Sequence, residues 1–81
     1  MLNRGQLLDR ITMNPKVLLG KPTIRGMRIS VEQILTALAA GVSTTDLLQD
    51  YPELEMADLQ AVLTYVAARV SEEQVYLLAA A

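Results

Sequence analysis

The chain has 81 residues, 52% of them hydrophobic, and contains neither cysteine nor histidine. This length predicts one small domain, and the missing residue types exclude disulfides, thiolate metal sites and the commonest general base. A domain of this size has too much surface to enclose so many aliphatic side chains. We therefore expect apolar surface to contact another chain, most simply in a homodimer.

The net charge of −2 conceals an uneven distribution. Residues 1–28 contain six bases and one acid (net +5), whereas residues 29–81 contain one base and eight acids (net −7). Such a split predicts a basic segment that contacts a polyanion or an acidic partner. The alternative is that the basic segment packs against the acidic helices of its own dimer mate.

The predicted elements give one structural domain with a basic N-terminal arm, residues 1–30, and a helical region, residues 31–81. The first ten residues are either a frayed terminus or one helical turn. Polar and apolar residues alternate from Arg10 to Met13, which predicts a short strand that Asn14-Pro15 ends. The state of the apolar run Val17–Leu19 stays open.

The stretch Gly20–Ser30 joins the arm to the helical region. Thr23-Ile24 and Met27–Ile29 predict two very short β segments around a turn at Arg25-Gly26. Ser30 is predicted to begin the first helix. Whether the β segments pair within one chain or between two chains stays open.

Helical periodicity dominates the remainder and predicts a mainly α fold: a three- to four-helix, helix-turn-helix-like bundle with a short N-terminal β element. Ser30 and Gln33 form a capping-box pattern at the start of the first helix, and Gly41 ends it. Its apolar positions form one stripe: Val31, Ile34, Leu35, Leu38 and Ala39.

Two further helices are predicted. Ser43 or Thr44 caps a short second helix that ends at Tyr51-Pro52, and a longer third helix begins near Glu55. The main apolar stripe of the third helix is Leu59, Val62, Leu63, Val66, Ala67 and Val70. This stripe breaks at Ser71, which predicts a separate terminal helix, with one bent continuous helix as the alternative.

The third helix also carries small side chains on its other side, and a helix that is apolar on two sides is usually buried on two sides. We expect this second face and the terminal segment to contact a dimer mate or another partner. The residues assigned to the contact are Ala57, Ala61, Tyr65, Ala68, Val75 and Leu78. The alternative is that alanine simply favours helix formation on a solvated face.

Three helices joined by short turns match a helix-turn-helix domain, in which the N-terminal residues of the helix after the tight turn enter the major groove. If the third helix is the reading helix, the residues that enter the major groove are Glu53, Glu55, Asp58 and Gln60. Carboxylates oppose phosphates, so this helix is a poor reader of DNA.

The basic arm is therefore the better candidate for DNA contact. The residues assigned to it are Lys16, Lys21, Arg25 and Arg28. In the alternative, Arg25 and Arg28 pair with acidic residues of the chain itself.

No constellation of residues predicts catalysis, and we expect no enzymatic activity, cofactor or metal ion. Gly20-Lys21 lacks the rest of a phosphate-binding loop. Asp46, Asp50, Glu53 and Glu55 form an acidic cluster that could hold Mg²⁺, although such clusters more often form a solvated helix face. No signal peptide and no apolar run of about 20 residues is present, which predicts a cytoplasmic protein without membrane contact.

The segments GKPTIRGMRI at residues 20–29 and DYP at residues 50–52 resemble the family known as domain of unknown function 433. The likeness covers roughly residues 8–70 in the same order. Further matching positions are Arg10-Ile11, Asn14-Pro15, Ile34-Leu35, Ala40-Gly41, Leu47-Leu48, Asp58-Leu59 and Tyr65. Members of that family often carry Cys and His where this chain has Leu18-Leu19, so no redox or metal role is carried over to this turn.

The resemblance implies a small helix-turn-helix-like domain with a short N-terminal β element. Many members resemble antitoxins encoded beside a PIN-like ribonuclease toxin. The resemblance therefore implies a homodimer that neutralises a toxin and binds its own operator DNA. The alternative, which the acidic third helix favours, is a dimeric protein-interaction module that does not bind DNA.

Overall fold

A computed structural model describes the backbone of residues 1–80 and the side chains of residues 1–72. This part of the chain forms four α-helices, two short strands and one 3₁₀ turn. In chain order these are α1 (Arg4–Leu8), β1 (Ile11–Thr12), the 3₁₀ turn (Leu18–Gly20), β2 (Thr23–Ile24), α2 (Val31–Ala39), α3 (Thr44–Asp50) and α4 (Met56–Ala80). The expected mainly α fold with a short N-terminal β element is confirmed.

The N-terminal residues form a capped helical turn rather than a frayed end. The Gln6 amide N–H donates to Asn3 Oδ1 over 2.8 Å, and the Asn3 amide N–H donates to Gln6 Oε1 over 2.9 Å. This reciprocal pair satisfies two backbone donors that would otherwise be free at the start of α1. Leu7 packs against the core, and α1 lies against α4.

Strands β1 and β2 pair antiparallel within the single chain, with Ile11 opposite Ile24 and Thr12 opposite Thr23. The turn predicted at Arg25-Gly26 is present, and both residues have positive φ, 48° and 73°. Glycine adopts such a conformation freely, whereas arginine does so only with backbone strain.

The predicted β segment Met27–Ile29 is wrong. Thr23 and Ser30 form only an isolated bridge, and one backbone bond of 3.1 Å runs from the Ile24 amide to the Ile29 carbonyl. Because α2 already begins at Val31, the chain leaves the sheet before a strand can extend.

Serine hydroxyls cap α2 and α3 as the sequence predicts. Ser30 Oγ accepts from the Gln33 amide over 2.9 Å, and Ser43 Oγ accepts from the Asp46 amide over 3.1 Å. Only half of the capping box at α2 forms, because the Gln33 side chain instead donates to the Tyr51 hydroxyl over 2.7 Å. That bond ties the start of α2 to the end of α3.

Helix α4 runs without interruption from Met56 to Ala80, so the predicted separate terminal helix is wrong. Ser71 lies inside the helix and does not cap a new one. Neither glycine nor proline follows Met56, and Glu, Gln, Leu and Ala all favour continued helix. Among residues 1–80, no helix combines the length and the apolar character needed to cross a membrane.

The core lies between the sheet, α2, α3 and the first half of α4. Its buried apolar residues are Ile11, Ile24, Ile29, Val31, Ile34, Leu47, Leu54, Leu59, Ala61 and Val62. The stripe predicted for the third helix is only partly correct, because Leu63 and Val70 are 52% and 44% exposed and Ala67 is also exposed. The helix turns the side that carries Leu59, Ala61 and Val62 to the core, and from Ala67 to Glu72 every side chain except Ala68 is exposed.

Candidate functional site

Asp58 is completely buried in the first turn of α4. A buried carboxylate is unstable by several kcal/mol unless hydrogen bonds and opposite charges compensate the lost hydration. Both carboxylate oxygens of Asp58 accept hydrogen bonds that compensate for this loss. Among the described side chains, no buried polar atom lacks a hydrogen-bond partner.

Two arginines of the basic arm bind this carboxylate. Arg25 donates from Nε to Asp58 Oδ1 over 2.9 Å and from Nη2 to Asp58 Oδ2 over 2.8 Å, which is the two-pronged geometry that a guanidinium favours. Arg10 Nη1 donates to Asp58 Oδ1 over 2.9 Å and to Glu55 Oε1 over 2.8 Å. The Glu55 amide completes the set with a 2.8 Å bond to Asp58 Oδ2. We call these four residues the Asp58 junction.

The short sheet places the two arginines side by side. Arg10 directly precedes β1 and Arg25 directly follows β2, and the Arg25 amide donates to the Arg10 carbonyl over 2.7 Å. Pairing of the strands therefore carries both guanidinium groups to the N-terminus of α4. The positive helix end there also favours a carboxylate.

The charges of the junction reinforce one another. Burial would raise the pKa of Asp58, but the hydrogen bonds from Arg25, from the Glu55 amide and from Arg10 outweigh it and lower that pKa. Hydrogen bonds to Glu55 and Asp58 raise the pKa of Arg10, and the bonds to Asp58 raise the pKa of Arg25. All three groups therefore stay charged near neutral pH. The junction can hold the arm on the helix, but its carboxylate is not poised to exchange a proton.

Arg25 was expected to contact DNA, and the structure places it in this junction instead. Its Nη2 also donates to the Glu53 carbonyl over 2.8 Å, so three hydrogen bonds of the guanidinium stay within the chain. Pairing with the chain's own acids was the alternative for Arg25. The partner in the structure is Asp58, a residue that the helix-turn-helix interpretation placed towards DNA.

The other three residues assigned to DNA contact do not lie together in one groove. Lys21 is 3.5 Å from Glu32 in an exposed ion pair at the edge of a groove between α2 and α4. Arg28 is exposed beside Tyr51 in a different recess. Lys16 is exposed in the turn after β1. Among the side chains that the structure describes, Lys16 and Arg28 form no ion pair.

Only part of the predicted partner face of α4 is accessible in the structure. Ala61 is fully buried in the chain's own core, so its assignment to a partner contact is wrong. Ala57, Tyr65 and Ala68 are half-buried. Val75 and Leu78 lie outside the residues whose side chains are described.

A different set of apolar residues on α4 faces outward. Met56, Leu63 and Val70 are 48%, 52% and 44% exposed, and exposed Ala67 lies between the last two. Spacings of seven residues return to nearly the same side of a helix, so these residues form one stripe. We call it the outer stripe of α4. The heptad spacing in the sequence was the signal for it, but the prediction placed Leu63 and Val70 in the core.

A groove of about 400 Å³ separates α2 from the middle of α4. Its lining is mostly apolar, and Lys21, Glu32 and Arg69 lie at its edges. The apolar part comes from Pro22, Val31, Leu35, Tyr65, Val66 and Val70. Tyr65 was predicted to belong to a contact surface, but the groove itself was not, because its two walls are far apart in the chain.

Helices α2 and α3 are joined by the four-residue turn Ala40–Ser43. Gly41 takes a φ of 91° there, and its amide donates to the Leu38 carbonyl over 3.0 Å. A tight, glycine-containing turn between two short helices is the connection found in helix-turn-helix motifs.

The position of this turn decides which helix corresponds to the DNA-reading helix of such a motif. The helix after the tight turn is α3, not α4, because Tyr51–Glu55 separates α3 from α4 by a longer, irregular connection. The exposed side chains of α3 are Thr44, Thr45, Asp46, Gln49 and Asp50. The expected reading position of Asp58 is wrong, since that residue is buried.

The acidic cluster predicted from the sequence combines Asp46 and Asp50 of α3 with Glu53 and Glu55 of the connection to α4. Within the described part of the chain, no three carboxylates come close enough together to hold a metal ion. Glu55 of this cluster instead contacts Arg10.

Comparison with known proteins places the chain in a family. Residues 11–66 match the family described as "Protein of unknown function (DUF433)". The chain belongs to the DUF433 family. The matched range contains both β-strands, α2, α3, the first half of α4 and, apart from Arg10, the Asp58 junction.

This DUF433 chain is also similar to the uncharacterized protein y4eO of Sinorhizobium fredii (strain NBRC 101917 / NGR234), with 31% identity over 58 residues. That similarity covers 72% of this chain and 26% of the relative, so the chain spans about a quarter of the relative's length. No solved structure matches this chain significantly.

Proposed function

We propose that this DUF433 chain is an antitoxin-like protein-binding module. It works in the cytoplasm as a homodimer, and it binds a partner of the PIN-like ribonuclease class. The observation that carries the proposal is the outer stripe of α4, where Met56, Leu63 and Val70 are each about half exposed on one side of a long helix.

Such a helix suits one known mode of recognition. An amphipathic helix lays an apolar stripe into a groove of its partner, and residues spaced by three, four or seven positions act as anchors. From Ala67 to Glu72 only Ala68 is half-buried, so this length of α4 offers most of its circumference to a partner.

The electrostatics favour a protein partner over nucleic acid. The Asp58 junction holds two of the six basic residues of the arm, Arg10 and Arg25. Phosphate binding depends on cations that are free to neutralise it. The exposed acids of α3 and its following turn would repel a nucleic acid.

The test is co-expression with the product of the gene next to this chain's gene, which the proposal expects to be a PIN-like nuclease. We expect the two proteins to purify together and the ribonuclease activity of the partner to be suppressed. The double substitution Met56→Glu with Leu63→Glu should weaken the complex at least about tenfold, because it puts charges into the contact.

Gln60→Glu is the matched control, since Gln60 is exposed between these two positions on the same helix. It adds a charge without removing an anchor and should leave binding nearly unchanged. Equal loss in both variants would point to general charge repulsion and would contradict a role for the outer stripe. Full suppression of the nuclease by the double variant would do the same.

A second candidate function, operator binding, is favoured by the turn between α2 and α3. The Gly41 turn and the capped start of α3 expose Thr44, Thr45 and Gln49, whose hydroxyl and amide groups suit base edges. Lys16 and Arg28 are the basic residues left for phosphates among those assigned to DNA.

A salt titration with the DNA upstream of the gene tests this second candidate. If Arg28 contacts a phosphate, Arg28→Gln should reduce the slope of log K against log salt by about 0.9. Lys21→Gln is the control, because Lys21 borders the α2–α4 groove, whose lining includes no residue of α3. Absence of binding at low salt would exclude the operator role and leave the protein-binding proposal untouched.

A further inference from the structure

The 3₁₀ turn before the Gly-Lys-Pro segment has an unusual backbone. Leu18, Leu19 and Gly20 all have positive φ, 47°, 57° and 83°. Glycine takes this conformation readily, but two consecutive leucines avoid it. Strain of this kind persists only where the surrounding structure enforces it, and it is concentrated at functional sites.

The strained turn presents a large apolar side chain to solvent. Leu19 is 94% exposed, whereas its neighbour Leu18 is half-buried. Apart from Met1 at the chain end, Leu19 is the most exposed large apolar residue among the described side chains. The fold gains nothing from this leucine, because the side chain packs against almost nothing.

The apolar groove between α2 and α4 lies on the same surface as Leu19. Leu18 and Leu19 border a small recess of about 260 Å³, which shares Lys21 and Ser30 with the groove between α2 and α4. The exposed leucine and the larger apolar groove are therefore neighbours, separated by Lys21.

The edge of that groove carries charges of both signs. Lys21 and Glu32 are 58% and 73% exposed and 3.5 Å apart, and Arg69 faces Glu72 over 3.9 Å. Exposed pairs of this kind are weak, so their members are free to exchange partners. A two-fold interface brings the same patch of both copies together, so a patch that holds one cation and one anion can pair each cation with the anion of the other copy.

We propose that Leu19 of one copy enters the α2–α4 groove of a second copy, and that Leu19 of the second copy enters the groove of the first. The two-fold axis passes near Lys21. Each Lys21 then meets the Glu32 of the other copy, and two identical contacts between leucine and groove are buried in one symmetric interface. This assigns a surface to the homodimer of the proposed function. The groove shares Val70 with the outer stripe but includes neither Met56 nor Leu63, the two positions substituted in the test of partner binding.

The test measures the dissociation constant of the 81-residue chain by sedimentation velocity over a range of concentrations. The wild-type chain should form a species of twice its monomer mass. Leu19→Asp should raise the dimer dissociation constant at least about tenfold, since it removes the anchor. Aspartate tolerates left-handed backbone better than leucine, so the fold should survive, which a circular dichroism melt checks.

Met13→Asp is the matched control. Met13 is also a large apolar residue of the arm, 61% exposed, and it lines neither the groove nor the recess. The substitution removes a similar exposed apolar side chain and adds the same charge. Its dimer should dissociate like the wild type.

A second variant tests the groove side of the proposed contact. Thr36 is exposed and lines the groove, so Thr36→Arg should fill the groove and weaken the dimer as Leu19→Asp does. Mixing the two variants should restore dimerisation. In the mixed dimer one intact leucine meets one intact groove, and at the other contact the introduced aspartate meets the introduced arginine.

The outcomes separate the explanations. A wild-type chain that stays monomeric at high micromolar concentration overturns the proposal. A dimer that Leu19→Asp and Met13→Asp weaken equally, or that the mixture fails to restore, places the interface elsewhere and also overturns it. Loss of nuclease binding with an intact dimer in Leu19→Asp would overturn it too, by assigning this leucine to the other partner, whereas failure of the outer stripe test alone leaves the dimer interface standing.

Discussion

Asp58 binds two arginines that precede it by 48 and 33 residues, and it does so inside the protein. A carboxylate in this position stabilises the fold only while its counter-charges are present. Removing one partner of a buried pair leaves the other charge without compensation, which destabilises far more than losing an exposed pair.

We expect Asp58→Asn to lower the free energy of unfolding by about 3 kcal/mol, because two guanidinium groups lose their shared counter-ion. Urea denaturation followed by circular dichroism measures the change. Glu55→Gln is the matched control. Its carboxylate is 61% exposed, and we expect a loss of less than about 1 kcal/mol. Similar losses in the two variants would contradict the central position of Asp58.

The lowered pKa of Asp58 also predicts how stability depends on pH. A carboxyl group whose pKa is lower in the folded state contributes its full stabilisation above the unfolded value of about 3.9 and loses it as the pH falls. The difference in unfolding free energy between wild type and Asp58→Asn should therefore begin to shrink below about pH 5 and continue to shrink as the pH falls through about 4 and lower. A difference that stays constant would mean that the charge of Asp58 does not stabilise the fold.

Arg25 was singled out from the sequence, but it was assigned to a different partner. Charge counting distinguishes a basic arm from an acidic helix, but it does not show whether they meet. The available signal was Asp58 itself, which precedes a buried stripe of Leu59 and Val62 and follows a proline-containing turn. A polar residue in the first turn of an apolar helix suits either a solvated helix end or a buried counter-ion.

Local signals predicted most of the elements. Ser30 and Ser43 cap α2 and α3, and Gly41 and Tyr51-Pro52 end them, because capping and backbone restrictions depend on residues within one turn. Features that depend on contacts between distant parts of the chain were harder to predict. The pairing of β1 with β2 and the side of α4 that faces the core depend on contacts between distant segments, which periodicity alone does not fix.

Replacing Gly41 and Gly5 by alanine should change the free energy of unfolding in opposite directions. Gly41 has a φ of 91°, so Gly41→Ala should lower the unfolding free energy by about 1 kcal/mol through backbone strain alone, since no atom lies within 4 Å of an added Cβ. Gly5 lies inside α1, where Gly5→Ala should raise it by about 0.5 kcal/mol. Thermal unfolding of both variants measures this, and shifts in the same direction would argue against the left-handed turn at Gly41.

For the molecule as a whole, the uneven charge is partly neutralised within the fold. The arm and α4 are joined at the Asp58 junction, so the basic third is not an extended arm that reaches outward. What remains free is apolar surface, which the composition predicted from length and hydrophobicity. The location of that surface was not predicted, because it depends on which side of α4 the core takes.

Hydrogen exchange should show where α4 leaves the core. The turns of α4 from Leu59 to Val66 carry the buried core residues Leu59, Ala61 and Val62, so we expect their amides to exchange only through global unfolding. Amides of Arg69 to Glu72 should exchange at least about a hundredfold faster in the unbound protein, since local opening there disrupts little packing. Partner binding should slow this second group. Uniform protection along the helix in dilute, unbound protein would contradict this division.

The separation of Arg10 and Arg25 from Asp58 has a consequence for synthesis on the ribosome. Both arginines are translated well before Asp58, so the nascent arm carries its positive charge without the counter-ion that later holds it. We expect the two strands to gain their stable position only when the start of α4 emerges. A stalled nascent chain with only residues 1–57 outside the ribosome should therefore be far more sensitive to protease in its first third than one in which the core portion of α4 has also emerged.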